Sequence, residues 1–154
     1  MKKIVTSICI GLLTACTSTS DTSSTNNANS ETVFQDFVLN QELSSVDRVA
    51  PFILSDYMVL DKQFVALETR NRKYFLASVS QQNCADLNFA ERIGVLQHEK
   101  DVLNVSDQIV RVGFEDQGCI VNNLYKLNKV QYEELSNINI RRRYNTSVNA
   151  PTRF

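Results

Sequence analysis

At 154 residues, with hydrophobic residues at 43% and charged residues at 21%, the chain has room for one domain and a tail or two. Formal net charge is −1, and setting aside Lys2 and Lys3 leaves 14 basic against 17 acidic side chains, which excludes a general attraction to nucleic acid or anionic lipid. One histidine and four glycines are poor material for a His-rich metal site or a Gly-rich phosphate loop.

Met1, Lys2 and Lys3 make a short positive start, and residues 4–13 are mostly apolar. A bilayer core of about 30 Å needs roughly 20 helical residues, so this stretch reads as an export signal and not as a span. It runs into Leu13-Thr14-Ala15-Cys16. That run resembles the bacterial lipoprotein signal, in which small residues precede a cysteine whose sulfur receives a diacylglycerol. The resemblance implies a signal peptide over residues 1–15 and Cys16 as the acylated, palmitate-bearing first residue. An ordinary secretory signal with a chance cysteine is the plainer alternative. Thr17 and Ser18 stand where an Asp would direct retention, which by similarity to enterobacterial sorting implies the outer membrane, facing the periplasm, with inner-membrane anchoring as the other outcome. Several acyl chains at about 0.8 kcal/mol per buried methylene make a stable anchor where one is marginal.

Residues 17–31 contain a single apolar side chain, Ala28. Such a stretch cannot offset the entropy of ordering and reads, with Cys16, as a flexible tether reaching about 20 Å.

The body opens with Thr32 and Gln35 at capping-box spacing, followed by Val33, Phe34, Phe37 and Val38 on one helical face that continues to Leu43. A short helix or irregular entry is expected, with a strand over residues 33–39 as the competitor. Pro51 limits residues 49–54 to an edge strand. Residues 57–60 form a clearer strand. Residues 63–69 and 73–79, joined by Arg70-Asn71-Arg72, read as a hairpin, and their nearly continuous apolar character predicts cover on more than one side. After Cys84, Asp86 is placed to cap a short helix with Leu87, Phe89, Ala90 and Ile93 at helical spacing and Gly94 as its stop. Residues 95–96 and 102–105 flank a polar stretch, and residues 109–114 alternate, with Val110, Val112 and Phe114 on one face. A turn at residues 115–118 leads to a last strand over residues 119–127, with Asn122-Asn123 as a candidate interruption. Residues 130–135 could close the domain with a helical turn; from Ser136 on, a polar, partly basic tail is expected to fray. The expected fold is mostly β: a small antiparallel sheet curled into a partial barrel or roll over residues 32–135, with one short helix after Cys84.

Four cysteines sort by position. Cys9 leaves with the signal, Cys16 is the lipidation candidate, and Cys84 and Cys119 remain as an even pair in an oxidising compartment. A structural disulfide is the simplest reading. A redox pair is usually Cys-x-x-Cys, and zinc would need two more ligands.

His98 lies in a polar turn and reads as an exposed loop residue. Asp86, Glu91 and Asp107 could supply a carboxylate pair in space, although capping and turn roles already account for both Asp residues. Arg141, Arg142 and Arg143 form one basic group, and Arg70, Arg72 and Lys73 a second at a hairpin tip. Both are candidate contacts for an anionic glycan, a lipid head or an acidic protein face, with a solvated surface as the alternative.

Taken together, residues 46–127 resemble an uncharacterised proteobacterial lipoprotein family, the domain of unknown function 6491. The resemblance rests on Tyr57-Met58-Val59-Leu60-Asp61, on Arg72-Lys73-Tyr74-Phe75-Leu76, on Cys84-Ala85-Asp86-Leu87 with Ala90 and Ile93, on Ser106-Asp107-Gln108-Ile109 and on Cys119-Ile120. It implies a shared small domain, the cysteine pair and an envelope location, and no activity. The sequence therefore predicts a non-catalytic envelope lipoprotein that binds or scaffolds another envelope component, with no cofactor and no nucleic acid. The alternatives are a periplasmic enzyme whose site assembles only in three dimensions and a thiol oxidoreductase.

Overall fold

The computed structural model describes residues 33–148 except 81, 83 and 85. The expected signal, Cys16, the expected tether, the expected cap Thr32 and the last six residues lie outside the described residues.

In chain order the elements are α1 (Val33–Asn40), β1 (Ser45–Val46), β2 (Arg48–Val49), β3 (Leu54–Val59), β4 (Phe64–Thr69), β5 (Tyr74–Val79), β6 (Ile93–Leu96), β7 (Leu103–Asn104), β8 (Gln108–Arg111), β9 (Cys119–Leu127) and α2 (Lys129–Val148). Two single-turn 3-10 segments, Leu87–Phe89 and Glu115–Gln117, precede β6 and β9. The strands form a nearly closed antiparallel sheet in the order β3-β4-β5-β9-β8-β6, with β1 also pairing to β9 and a separate β2–β7 ribbon. This is the curled, mostly β fold that the sequence predicts.

The apolar runs of β4 and β5 are covered on both faces. Val65, Leu67, Phe75, Ala77 and Val79 point into the curl, where they meet Leu103, Ile109, Val121 and Leu124. Phe64, Ala66 and Leu76 point outward and are buried under Phe34, Phe37 and Val38 of α1 and Leu135 of α2. Each of these larger side chains contributes about 1.5–3 kcal/mol on full burial. An eight-residue helix is unstable alone, so α1 is held by this contact and not by propensity.

β9 matches its predicted bounds, and the interruption is a register shift: Ser78 pairs with Asn123, and Val79 pairs with Val121. Asn122 is the extra residue. It lets Val121 and Leu124, three apart, both face the inner core. Cys119 at the buried start of β9 is disulfide-bonded to Cys84, with the Cα atoms 4.6 Å apart.

Three local expectations are corrected. The helix after Cys84 is a single 3-10 turn: Asp86 does cap it, accepting from the Asn88 amide at 3.0 Å, but Ala90 is already extended. Ile93 and Gly94, read as the helix end, instead begin β6, because pairing with Arg111 and Val110 of β8 gives them a ladder. The alternation over residues 109–114 stops early. Gly113 turns the chain at φ 91°, and Val112 and Phe114 end up exposed. Finally, residues 136–148 are not a fraying tail but the greater part of α2. Their inner face carries few apolar side chains because it binds polar backbone, as described next.

Candidate functional site

β3 and β6 are the two edges of the nearly closed sheet. The seam between them is bridged where the Tyr57 hydroxyl donates to the Glu91 carbonyl at 3.2 Å. Along the edge of β3, α2 takes the place of a further strand. Arg143 donates to the Val59 carbonyl at 3.0 Å and Asn139 to the same oxygen at 3.4 Å, while Arg142 reaches the Leu60 carbonyl at 3.5 Å. Arg142 also lies 3.9 Å from the Asp61 carboxylate and stacks over the Phe34 ring at 4.8 Å. Asp61 in turn caps the β3–β4 turn, accepting from the amides of Gln63 at 2.7 Å and Phe64 at 2.8 Å. Edge carbonyls that would otherwise invite another chain are thereby satisfied by side chains.

Beside this edge lies an open cleft of about 360 Å³, walled by Tyr57 and Val59 of β3, Asn88 and Ala90 of the 3-10 turn, and Asn139, Ile140 and Arg143 of α2. Its size and mixture of apolar wall and convergent amide and guanidinium groups suit a small polar ligand or a peptide side chain. Tyr57, Asn139 and Arg143 there, however, already donate to backbone carbonyls, and Asn88 donates to the Asp86 carboxylate.

The two basic groups are not brought together. β3 and β4 run antiparallel, with Val59 opposite Val65 and Leu54 opposite Thr69. Arg141–Arg143 therefore dock near the Cys119 end of the sheet, and Arg70, Arg72 and Lys73 sit at the other, the Leu127 end. The latter three are exposed on a turn that Thr69 fixes. Its buried hydroxyl accepts from the Lys73 amide at 3.1 Å and donates to the Lys73 carbonyl at 3.2 Å, while Arg72 adopts φ 55°.

The structure adds a pair that sequence reading missed. Asp107 is fully buried, and its carboxylate accepts from the amides of His98 at 3.1 Å and Asn104 at 2.6 Å. The imidazole Nδ1 of His98 lies 2.5 Å from the same carboxylate. Burial works to raise the Asp107 pKa, but the bonds from the His98 ring and from the Asn104 and His98 amides together hold it below the usual carboxylate value. His98 is exposed, as expected, beside a shallow groove lined by Leu96, Gln97 and Gln108. Glu91 is exposed and Asp86 caps its turn. Only the β6–β8 register brings residues 98 and 107 together, and no local periodicity signals it.

On the outer face of the sheet, under the helices, Tyr132 packs on Tyr74 with ring centroids 4.7 Å apart. Partial burial, then the Asp56 and Glu68 carboxylates and Tyr74, push the Tyr132 phenol up to about 12. Among the described residues, no group of three or more His, Cys, Asp or Glu side chains is arranged around a metal position, and no helix is long and apolar enough to cross a membrane.

The model of a family of unknown function, DUF6491, matches residues 1–143. The chain belongs to this family. The match spans residues 1–32 as well as the folded part, and it includes α2 as far as the arginines that seal β3. No curated protein and no solved structure matches the chain.

Proposed function

We propose that this DUF6491 protein is a lipid-anchored envelope protein whose β domain is a non-catalytic binding or scaffolding module, displayed in the periplasm from the outer membrane. The observation that carries the reading is the order of segments: an apolar leader ending in Leu13-Thr14-Ala15-Cys16, a polar tether, and then a disulfide-linked fold. The tether joins the fold at the first turn of α1, whose Gln35 shares a groove with Gln63, Ser80 and Asn122 at the Cys119 end of the sheet. The exposed Arg70, Arg72 and Lys73 stand at the opposite end, where an anionic glycan or an acidic protein face could be met.

Two experiments test this. Cell fractionation of the Cys16→Ala chain is expected to show loss of membrane retention; an unchanged amount in the membrane fraction would count against lipidation. Crosslinking in intact cells is expected to give a partner whose yield falls with Arg70→Ala/Arg72→Ala/Lys73→Ala. An unchanged partner set would remove that turn from the reading.

The His98–Asp107 pair favours a second reading, an enzyme using His98 as a general base. A carboxylate that holds Nδ1 fixes the tautomer and leaves the other ring nitrogen on an exposed side chain. That reading requires a turnover abolished by both His98→Gln and Asp107→Asn in protein that remains folded. Thiol exchange is less well supported, because Cys119 is buried.

A further inference from the structure

We propose that the Cys119 end of the domain is a lipid-facing surface that rests on the bilayer carrying the protein; the tethered form of this proposal depends on the anchor reading above. Four segments meet at that end: the first turn of α1, the 3-10 turn after Cys84, the loop between β8 and β9, and the last turns of α2. Among the described residues, this end exposes Phe89 at 73%, Phe114 at 41% and Tyr144 at 69%, together with Val112 and Ile140. Both exposed phenylalanines among the described residues are in this group. None of these side chains belongs to either core cluster.

The chemistry is that of an interfacial surface. Arg111 lies over the Phe114 ring at 4.5 Å, a ring and cation pair suited to the headgroup layer. Arg92, Arg111 and Arg141 are matched in number at this end by Glu91, Glu115 and Asp116, and Arg142 and Arg143 are engaged with the backbone beside β3, so the attraction is apolar and aromatic and does not need anionic lipid.

Where the chain leaves the fold names the occupant. Sixteen residues, 17–32, separate Cys16 from Val33, and α1 begins at this end. A tether of about 20 Å keeps the surface within reach of the bilayer at an effective concentration in the millimolar range, enough to make a weak surface matter.

The sequence has no tryptophan, so single replacements report cleanly. Full-length protein carrying Phe89→Trp, Phe114→Trp or, at the Leu127 end, Leu39→Trp is reconstituted into neutral phosphatidylcholine vesicles containing brominated lipid. The first two are expected to be quenched about twofold or more, and Leu39→Trp little. The same reporters in a Cys16→Ala chain are expected to shift to the blue as neutral vesicles reach millimolar lipid. Flotation of the anchored protein with equal or absent quenching at all three sites overturns the proposal while leaving the anchor intact. Loss of flotation with the Cys16→Ala reporters still responding supports the surface and removes the anchor. A chain that neither floats nor responds overturns both, and a blue shift seen only on adding envelope proteins overturns the proposal by assigning the surface to a protein partner.

Discussion

The carboxylate of Asp107 ties His98 and Asn104 into one turn: it holds the backbone amides of both and the imidazole Nδ1 of His98, while remaining fully buried. A buried acceptor used this heavily fixes the path between β6 and β8, including β7 and its pairing with β2.

Removing that acceptor should be costly. Asp107→Ala leaves the part-buried amides of His98 and Asn104 without this acceptor, and a loss of about 1–3 kcal/mol in urea unfolding is expected. Asp107→Asn, which keeps one acceptor, should lose about half as much. A midpoint unchanged by Asp107→Ala would show that the turn is held by other contacts.

The same group sets an acid limit. A carboxyl held below its ordinary value of 3.8 in the fold contributes stability that is fully present above that pH and is lost as pH falls through the folded value. Wild-type stability is therefore expected to drop below about pH 4 more steeply than that of Asp107→Asn. Parallel acid-denaturation curves would refute the linkage.

At the alkaline end the sign is reversed. The Tyr132 phenol, raised from 10.0 to about 12, keeps its proton in the fold after it has lost it in the unfolded chain. Stability should fall as pH rises from 10 towards 12, and less so in Tyr132→Phe. Ultraviolet titration should show one tyrosine ionising last, absent in that variant.

Truncation tests the role of α2. Ending the chain after Leu135 removes Asn139, Arg142 and Arg143 from the Val59 and Leu60 carbonyls and the cation from Phe34. At about 1 kcal/mol per hydrogen bond and a similar amount for the ring contact, a loss of about 2–4 kcal/mol is expected. A solvated tail would cost nothing.

The Cys84–Cys119 bond spans a separation of 35 residues. In the chain-entropy model its reduction should cost about 3–4 kcal/mol, read as a lower melting temperature under reductant. Mass mapping of exported protein that finds both thiols free would remove the bond from the native state.

What the sequence disclosed and what it hid follow one physical line. β4, β5 and α1 were legible because their apolar residues carry the pattern of their cover: Phe64 and Val65 are buried on opposite faces, as a continuous apolar run requires. The start of β9 was legible because the polar turn ending in Gly118 precedes it. The first turns of α2, residues 130–135, were legible too, but its extension past Leu135 was not, because Asn139, Arg142 and Arg143 have no apolar signature and acquire their role only against the backbone of β3, about 80 residues earlier. The residues after Cys84 fit a helical spacing, yet the ladder offered by β8 outweighed a helix too short to stand alone. His98 and Asp107 were each visible as polar turn residues, and their union depends on strand register.

β9 has a consequence for how the molecule comes apart. One edge of it pairs with β5 along nearly its whole length, and the other is shared by β8 near Cys119 and β1 near Leu127. In the strand order, the β3-β4-β5 part and the β8-β6 part of the sheet are joined through this one strand. The amides of Val121 and Leu124 should then exchange with solvent only through global unfolding, and the helices and the disulfide segment should melt together as a single cooperative unit.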